Sequence, residues 1–324
     1  MLQNLNIHEI KELDQAPFTL RNTLNIPSHI SFGIEIEFEE AMYNIIQLRL
    51  NEIREIRKWQ LTIDNSIYNN NLLLGGEIIS PICYDEKKTW QELKTICTIL
   101  KNNRAQANFQ SGGHIHLGSQ ILGNDVQSWI NFVKIWIVYE KVIFKFGYGI
   151  KKEPRPFIET TAGPISLQLH YIINKQNQLK ELNKLDYLTF IDLIKNKKHQ
   201  AINFNNINDY KIKKDNTVEL RSPNGSIEEI IIQNNINFFS KLFLYCKSKQ
   251  FNYDKIEQKM ALYDQKAYEF KRYNEENLEE ALELSEMIFD NKLDKMYFLK
   301  QYLKMGSCFH DKPVQKFTFN STHS

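Results

Sequence analysis

The chain has 324 residues, of which 42% are hydrophobic, 12% aromatic and 25% charged. That balance excludes a disordered, collagen-like or coiled-coil chain, and the length provides one large core or two modest ones. A net charge of +2 leaves no electrostatic footprint for nucleic acid as the main ligand, and no apolar run approaches the ~20 residues that span a bilayer.

In chain order, residues 1–28 read as a polar lead-in ending at Pro27. The first residues lack a cationic start followed by an apolar stretch, so no secretory signal is expected. Residues 29–250 form a β-rich block with inserted helices. Strands are predicted over 31–38, 60–63, 76–79, 114–118, 201–204 and 217–221. Asp85 precedes a helical spacing of Trp90, Leu93, Cys97 and Leu100. Asn124 or Asp125 precedes Trp129, Phe132, Val133, Trp136 and Ile137, a stripe expected to pack in the core and to run to about Phe146. Ser226 with Glu229 has the spacing of a capping box before Ile230, Ile231 and Phe238. Residues 251–305 are charged and helix-periodic, a helical extension packed on the main body, and 306–324 read as a flexible tail. Cys83, Cys97, Cys246 and Cys308 form no CxxC pair and are expected to be reduced thiols of a cytoplasmic protein. Strands and helices mix without βαβ alternation. The expected class is α+β, a largely antiparallel sheet with helices on one face.

Three predicted strands carry unusual polar faces. Side chains alternate along a strand, so Ile34, Ile36 and Phe38 face one way and Glu35, Glu37 and Glu39 the other. After Gly112-Gly113, His114 and His116 share a face opposite Ile115 and Leu117. Glu219 and Arg221 share a face opposite Val218 and Leu220. Each face alone is compatible with a solvated strand or a surface ion pair. If the strands are neighbours, the faces merge into one wall of carboxylates, imidazoles and a guanidinium. Glu77 starts a further strand, and Asp64 ends one. Carboxylates so close repel unless cations lie between them, and mixed Glu and His ligands suit Mg²⁺ or Mn²⁺. Such a wall with an Arg is what phosphate chemistry needs. Neither a Walker A run nor GxGxxG is present to cradle phosphate in another way.

The runs Gly33 to Phe38, Trp59 to Ser66, Gly76 to Pro81, Gly113 to Gly118 and Val218 to Gly225, in this order, resemble the amidoligase family. That family is a branch of the carboxylate–amine ligases with a glutamine-synthetase-like catalytic fold. The resemblance spans about residues 31–245 and implies a curved catalytic sheet around ATP and several Mg²⁺ ions. It implies that Glu35, His114 and Glu219 hold one metal and that Glu37 and Glu77 hold another. His116 and Arg221 would approach the nucleotide phosphates. Tyr139-Glu140 followed by Arg155 fits the family's substrate-side arginine loosely. Lys197-Lys198-His199-Gln200 stands where a basic residue commonly precedes the strand carrying Asn203. Asp64 and Ser66 match the family motif, and Asp64 is the candidate acceptor for the amine's proton.

The implied reaction is formation of an amide or isopeptide bond through an acyl phosphate. The carboxylate and amine would come from small molecules or peptides, with no nucleic-acid or membrane partner, and a homo-oligomer is compatible with the resemblance. Two other chemistries fit parts of the same residues: a phosphotransferase on the same ATP wall, and a metal-dependent hydrolase using His114 and His116. A non-catalytic interaction protein that keeps the fold is a third alternative.

Overall fold

The computed structural model describes residues 18–53, 58–107, 110–195, 199–208, 216–263, 273 and 275–305. The expected tail, with Cys308 and His310, lies outside the described residues, as do Lys197 and Lys198.

The strands are β1 (Phe32–Met42), β2 (Gln60–Thr62), β3 (Leu74–Ile79), β4 (Gly113–Gly118), β5 (Ile202–Asn203) and β6 (Thr217–Leu220). They form one open sheet in the order β2-β3-β1-β4-β6-β5, and every adjacent pair is antiparallel. Among the described residues the helices are α1 (Tyr43–Glu52), α2 (Lys87–Asn102), α3 (Val126–Gly147), α4 (Ile158–Thr161), α5 (Ser166–Gln178), α6 (Tyr187–Ile194), α7 (Glu229–Lys247), α8 (Tyr253–Ala261), α9 (Leu278–Ile288) and α10 (Lys292–Tyr302). No helix among the described residues is long and apolar enough to cross a membrane.

The period-2 pattern of the strands sorts the two sheet faces. Ile34, Ile36, Phe38, Ile115, Leu117, Val218 and Leu220 are buried in the core, where α7 packs against β4. Behind it lies α3, whose apolar residues run all round the helix and are almost all buried. It packs on α7 through Phe132–Phe243 (centroids 4.5 Å apart) and Phe146–Phe238 (4.6 Å), and on its other sides meets α5, α8, α9 and α10. The Trp129–Trp136 stripe is therefore core, as expected. Cys83, Cys97 and Cys246 are buried thiols.

Of the two candidates before α3, Asp125 is the cap, as one of the alternatives expected, accepting from the N–H groups of Gln127 and Ser128. Several local expectations are corrected. Asp85 does not cap α2. Its carboxylate accepts from the backbone N–H groups of Leu24 and Ile26, from Thr23 Oγ1 and from the Trp90 indole, tying the lead-in to the body. The Ser226–Glu229 capping box does not form, because α7 starts at Glu229 itself. Ser226 Oγ takes the Glu228 N–H, while Lys101 binds Glu228 and Glu229 at 2.7 Å each. β1 is longer than predicted. A register shift between Phe38 and Met42 lets Met42 pair with Leu74. Helix α1 gave little sequence signal because only Ile46 and Leu50 are buried, while Ile45 and Leu48 lie exposed on the same short segment.

Candidate active site

Strand register builds the site. Glu35 lies opposite His114 across β1–β4, His116 opposite Glu219 across β4–β6, Glu37 opposite Glu77 across β1–β3, and Glu219 opposite Asn203 across β6–β5. Directly paired residues project to one face. These side chains therefore converge on the face away from the helical core, where they line a cavity of about 940 Å³. Asp64, Ser66, Arg155 and Arg221 line the same cavity, so all ten residues given a site role by the family resemblance meet there. The third glutamate of the β1 alternation does not. Glu39 accepts from the N–H groups of Gln110 and Ser111 and from Ser111 Oγ, and so holds the turn that leads into β4.

His114 is the centre of the wall. Its Nδ1 lies 3.0 Å from Glu35 Oε2, 3.6 Å from Glu37 Oε1 and 4.0 Å from Glu219 Oε1. His116 Nε2 lies 2.8 Å from Glu35 Oε1. Arg221 pairs with Glu219 through Nη1, while its Nε is buried without a hydrogen-bond partner. The Gly112 N–H donates to Glu37, and Thr62 Oγ1 donates to Glu77 Oε2 at 3.2 Å. Asn203 Nδ2 donates to Glu219 Oε2 at 2.6 Å.

The glycines at the start of β4 are needed for this approach. A β-carbon on Gly113 would sit 2.6 Å from the Asn224 carbonyl oxygen, and one on Gly112 would sit 2.6 Å from His114 Nε2. Arg155 is 2% exposed and is tied to the segment after β6. Its guanidinium donates to the carbonyls of Pro223 (2.6 Å) and Arg221 (3.0 Å), and its N–H donates to Asn224 Oδ1 (2.9 Å). Asp64 and Ser66 form a local turn, with Ser66 N and Oγ donating to Asp64 Oδ1 at 2.7 and 2.6 Å.

The electrostatics are those of crowded acids. Burial pushes the Glu77 carboxyl up, and the charges of Glu35, Glu37 and Asp64 add to it, so that its pKa rises to about 8. Burial likewise raises Glu37, outweighing the opposing charges of His114 and Arg155 and the Gly112 N–H. Burial would also raise Glu35, but hydrogen bonds and charge from His114 and His116 prevail and hold it well below the usual carboxylate range. Glu219 is likewise lowered against burial, by Arg221 first and then by the two histidines. His116 is raised because Glu35 outweighs its desolvation. Burial lowers Arg155 to about 10.

Ligand atoms of Glu35, His114 and Glu219 lie within 4.8 Å of one another, and so do those of Glu37, Glu77 and His114. Each set brings carboxylate oxygens and one imidazole nitrogen close enough together to hold a divalent cation. Over residues 28–243 the chain matches the family model described as "putative amidoligase enzyme". The chain belongs to the amidoligase family. The match covers two-thirds of the sequence, includes every residue of the wall, and indicates an enzyme of the ligase type. No curated protein matches the chain in sequence. α8, α9 and α10 lie beyond the family match.

Asn203 and Thr62 were not recognised in the sequence as parts of the site. Their signal is register: each lies opposite a wall carboxylate on a neighbouring strand, which a single sequence does not print. Phe157, with Thr160 and Thr161 on α4, also lines the cavity from a segment with no strand or motif pattern.

Proposed function

We propose that this family member is an ATP- and Mg²⁺-dependent carboxylate–amine ligase that works through an acyl phosphate, on a glutamine-synthetase-like arrangement of the sheet. The observation that carries this reading is the convergence of two Glu/His ligand sets on His114, with Arg221 and Arg155 beside them in one cavity.

In this reading Glu35, His114 and Glu219 hold one Mg²⁺ or Mn²⁺ ion, and Glu37 and Glu77 hold a second. One imidazole nitrogen serves one ion, so His114 completes the first set. Bound there, the ions would supply positive charge to offset the negative charge that develops in phosphoryl transfer. Arg221, whose Nε is buried without a partner, and His116 line the same cavity and would face the phosphates. Arg155 and Ser66 lie on the substrate side. A substrate carboxylate oxygen attacks the γ-phosphorus of ATP; the P–O bond to ADP breaks, and ADP leaves with its electron pair. The amine nitrogen then attacks the acyl carbon, the C–O bond to phosphate breaks, and phosphate leaves. Asp64 takes the amine's proton. The chain supplies position and charge rather than a nucleophile of its own. A cytoplasmic location, where ATP is at hand, goes with this chemistry.

The test is product analysis by ³¹P NMR and mass spectrometry with Mg²⁺, ATP and candidate carboxylate–amine pairs. Free phosphate released in step with a new amide is the expected result. A stable phosphorylated substrate would instead make the protein a phosphotransferase, and turnover without ATP would make it a hydrolase.

A further inference from the structure

Phe157 combines two unfavourable features. Its backbone lies in the left-handed region (φ 61°, ψ 13°), where an L side chain costs conformational energy, and its ring is 57% exposed at the cavity. Nearby Arg155 and Ile158, by contrast, are each 2% exposed, and Pro156 between them is partly buried. The conformation is held from several directions. The Phe157 carbonyl accepts from the N–H groups of Thr160 and Thr161 at 2.9 and 3.0 Å, and from their hydroxyls at 2.9 and 3.1 Å. Arg155 anchors the other side through the carbonyls of Arg221 and Pro223 and the side-chain oxygen of Asn224. The fold thus fixes an aromatic ring at the cavity without gaining burial of that ring.

The cavity surface beyond the metal wall is polar but mostly uncharged. Ser66, Gln110, Thr160, Thr161, Asn205 and Asn206 line it, with Asp64, Arg155 and His199 as its ionisable groups. Side-chain amides and hydroxyls both donate and accept, the complement of a peptide backbone. A free amino acid has no backbone amide to offer that surface, and its two charged groups would engage only Asp64, Arg155 and His199.

Resting on the ligase reading above, we infer that Phe157 is a specificity-determining residue whose ring packs on a peptide segment of the substrate, so that the enzyme joins a carboxylate and an amine of which at least one belongs to a peptide. The amide-rich surface receives that peptide's backbone, and the ring covers one of its side chains or planes.

The test uses the full chain and two probes with the same side chains, differing in the backbone amides that join them: a pooled tripeptide library, and the equimolar mixture of its free amino acids. Saturation-transfer NMR with Mg²⁺, with and without ADP, reads binding of each pool, and calorimetry of Mg-ADP runs alongside. The expected result is tripeptide binding well above that of the amino acids. Phe157→Ala should weaken it about tenfold, as loss of one aromatic contact does, and Phe157→Tyr should retain it. Phe157→Gly removes the backbone strain and should melt no lower than the wild type while losing the tripeptide. Equal or stronger binding of the free amino acids, silence from both pools, or unchanged tripeptide binding in Phe157→Ala would each overturn the inference. Failure of Mg-ADP to bind would instead count against the ligase reading, since the peptide arm is also read without nucleotide.

Discussion

Glu37 and Glu77 are direct partners across the β1–β3 ladder, two carboxylates held opposite each other on one face of the sheet. Like charges in that relation destabilise a sheet unless something neutralises them. Glu77→Gln should therefore stabilise the metal-free protein by up to ~1 kcal/mol, read as a rise in melting temperature. The same variant should lose part of the stabilisation that Mg²⁺ gives the wild type. A lower melting temperature without metal would show that the pair is not repulsive.

The raised Glu77 carboxyl gives a pH dependence of defined sign. The unfolded chain releases this proton near the ordinary value of 4.5, and the folded, metal-free protein near 8. Between these values the folded state binds more protons, so this group's contribution to stability falls as pH rises. Mg²⁺ favours the ionised form, so at neutral pH its binding should expel up to about one proton per chain from this site. Calorimetry in buffers of different ionisation enthalpy measures that proton. In Glu77→Gln this residue's share of the slope and of the released protons should disappear, leaving that of Glu37, which burial also raises.

Asn203 donates to the Glu219 oxygen that does not face Arg221, and so fixes the carboxylate's orientation. Removing such a support costs metal affinity ~10-fold or more. Asn203→Ala should weaken Mn²⁺ binding by about that factor, as read by electron paramagnetic resonance. Asn203→Asp, which adds a like charge, should weaken it further.

Gly113→Ala tests the close approach behind the wall. The added carbon meets a backbone carbonyl at 2.6 Å, which has no flexible end to yield. A loss of ~1–3 kcal/mol in denaturant unfolding is expected, with a larger relative loss of turnover because His114 is the next residue. A variant with full activity and stability would mean that the strand can shift freely.

The legible part of this protein was the part set by the two-residue strand period. Glu35 and Glu37, His114 and His116, and Glu219 and Arg221 each declared a shared face before any partner strand was known. What brought the three faces together is register, and register comes from pairings such as Ile34 with Ile115 and Ile115 with Leu220 that are distant in sequence. Glu39 obeyed the alternation, yet its backbone bridges Gln106 and its carboxylate holds Gln110 and Ser111 rather than joining the wall. Asp85 and the Ser226–Glu229 pair carried capping signals, but tertiary partners took those side chains: the lead-in backbone for Asp85 and Lys101 for Glu229. Phe157 had no signal at all, since a left-handed aromatic is imposed by the bonds around it rather than by its own preference.

Calorimetric titration of the protein with a non-hydrolysable ATP analogue tests the central claim most directly, with Mg²⁺ or with EDTA, for the wild type, Glu35→Gln and Glu219→Gln. The account expects the analogue to bind the wild type only with Mg²⁺, and binding to fall below detection in both variants while their folding transitions persist. Equal affinity with EDTA, or undiminished affinity in both variants, would contradict it.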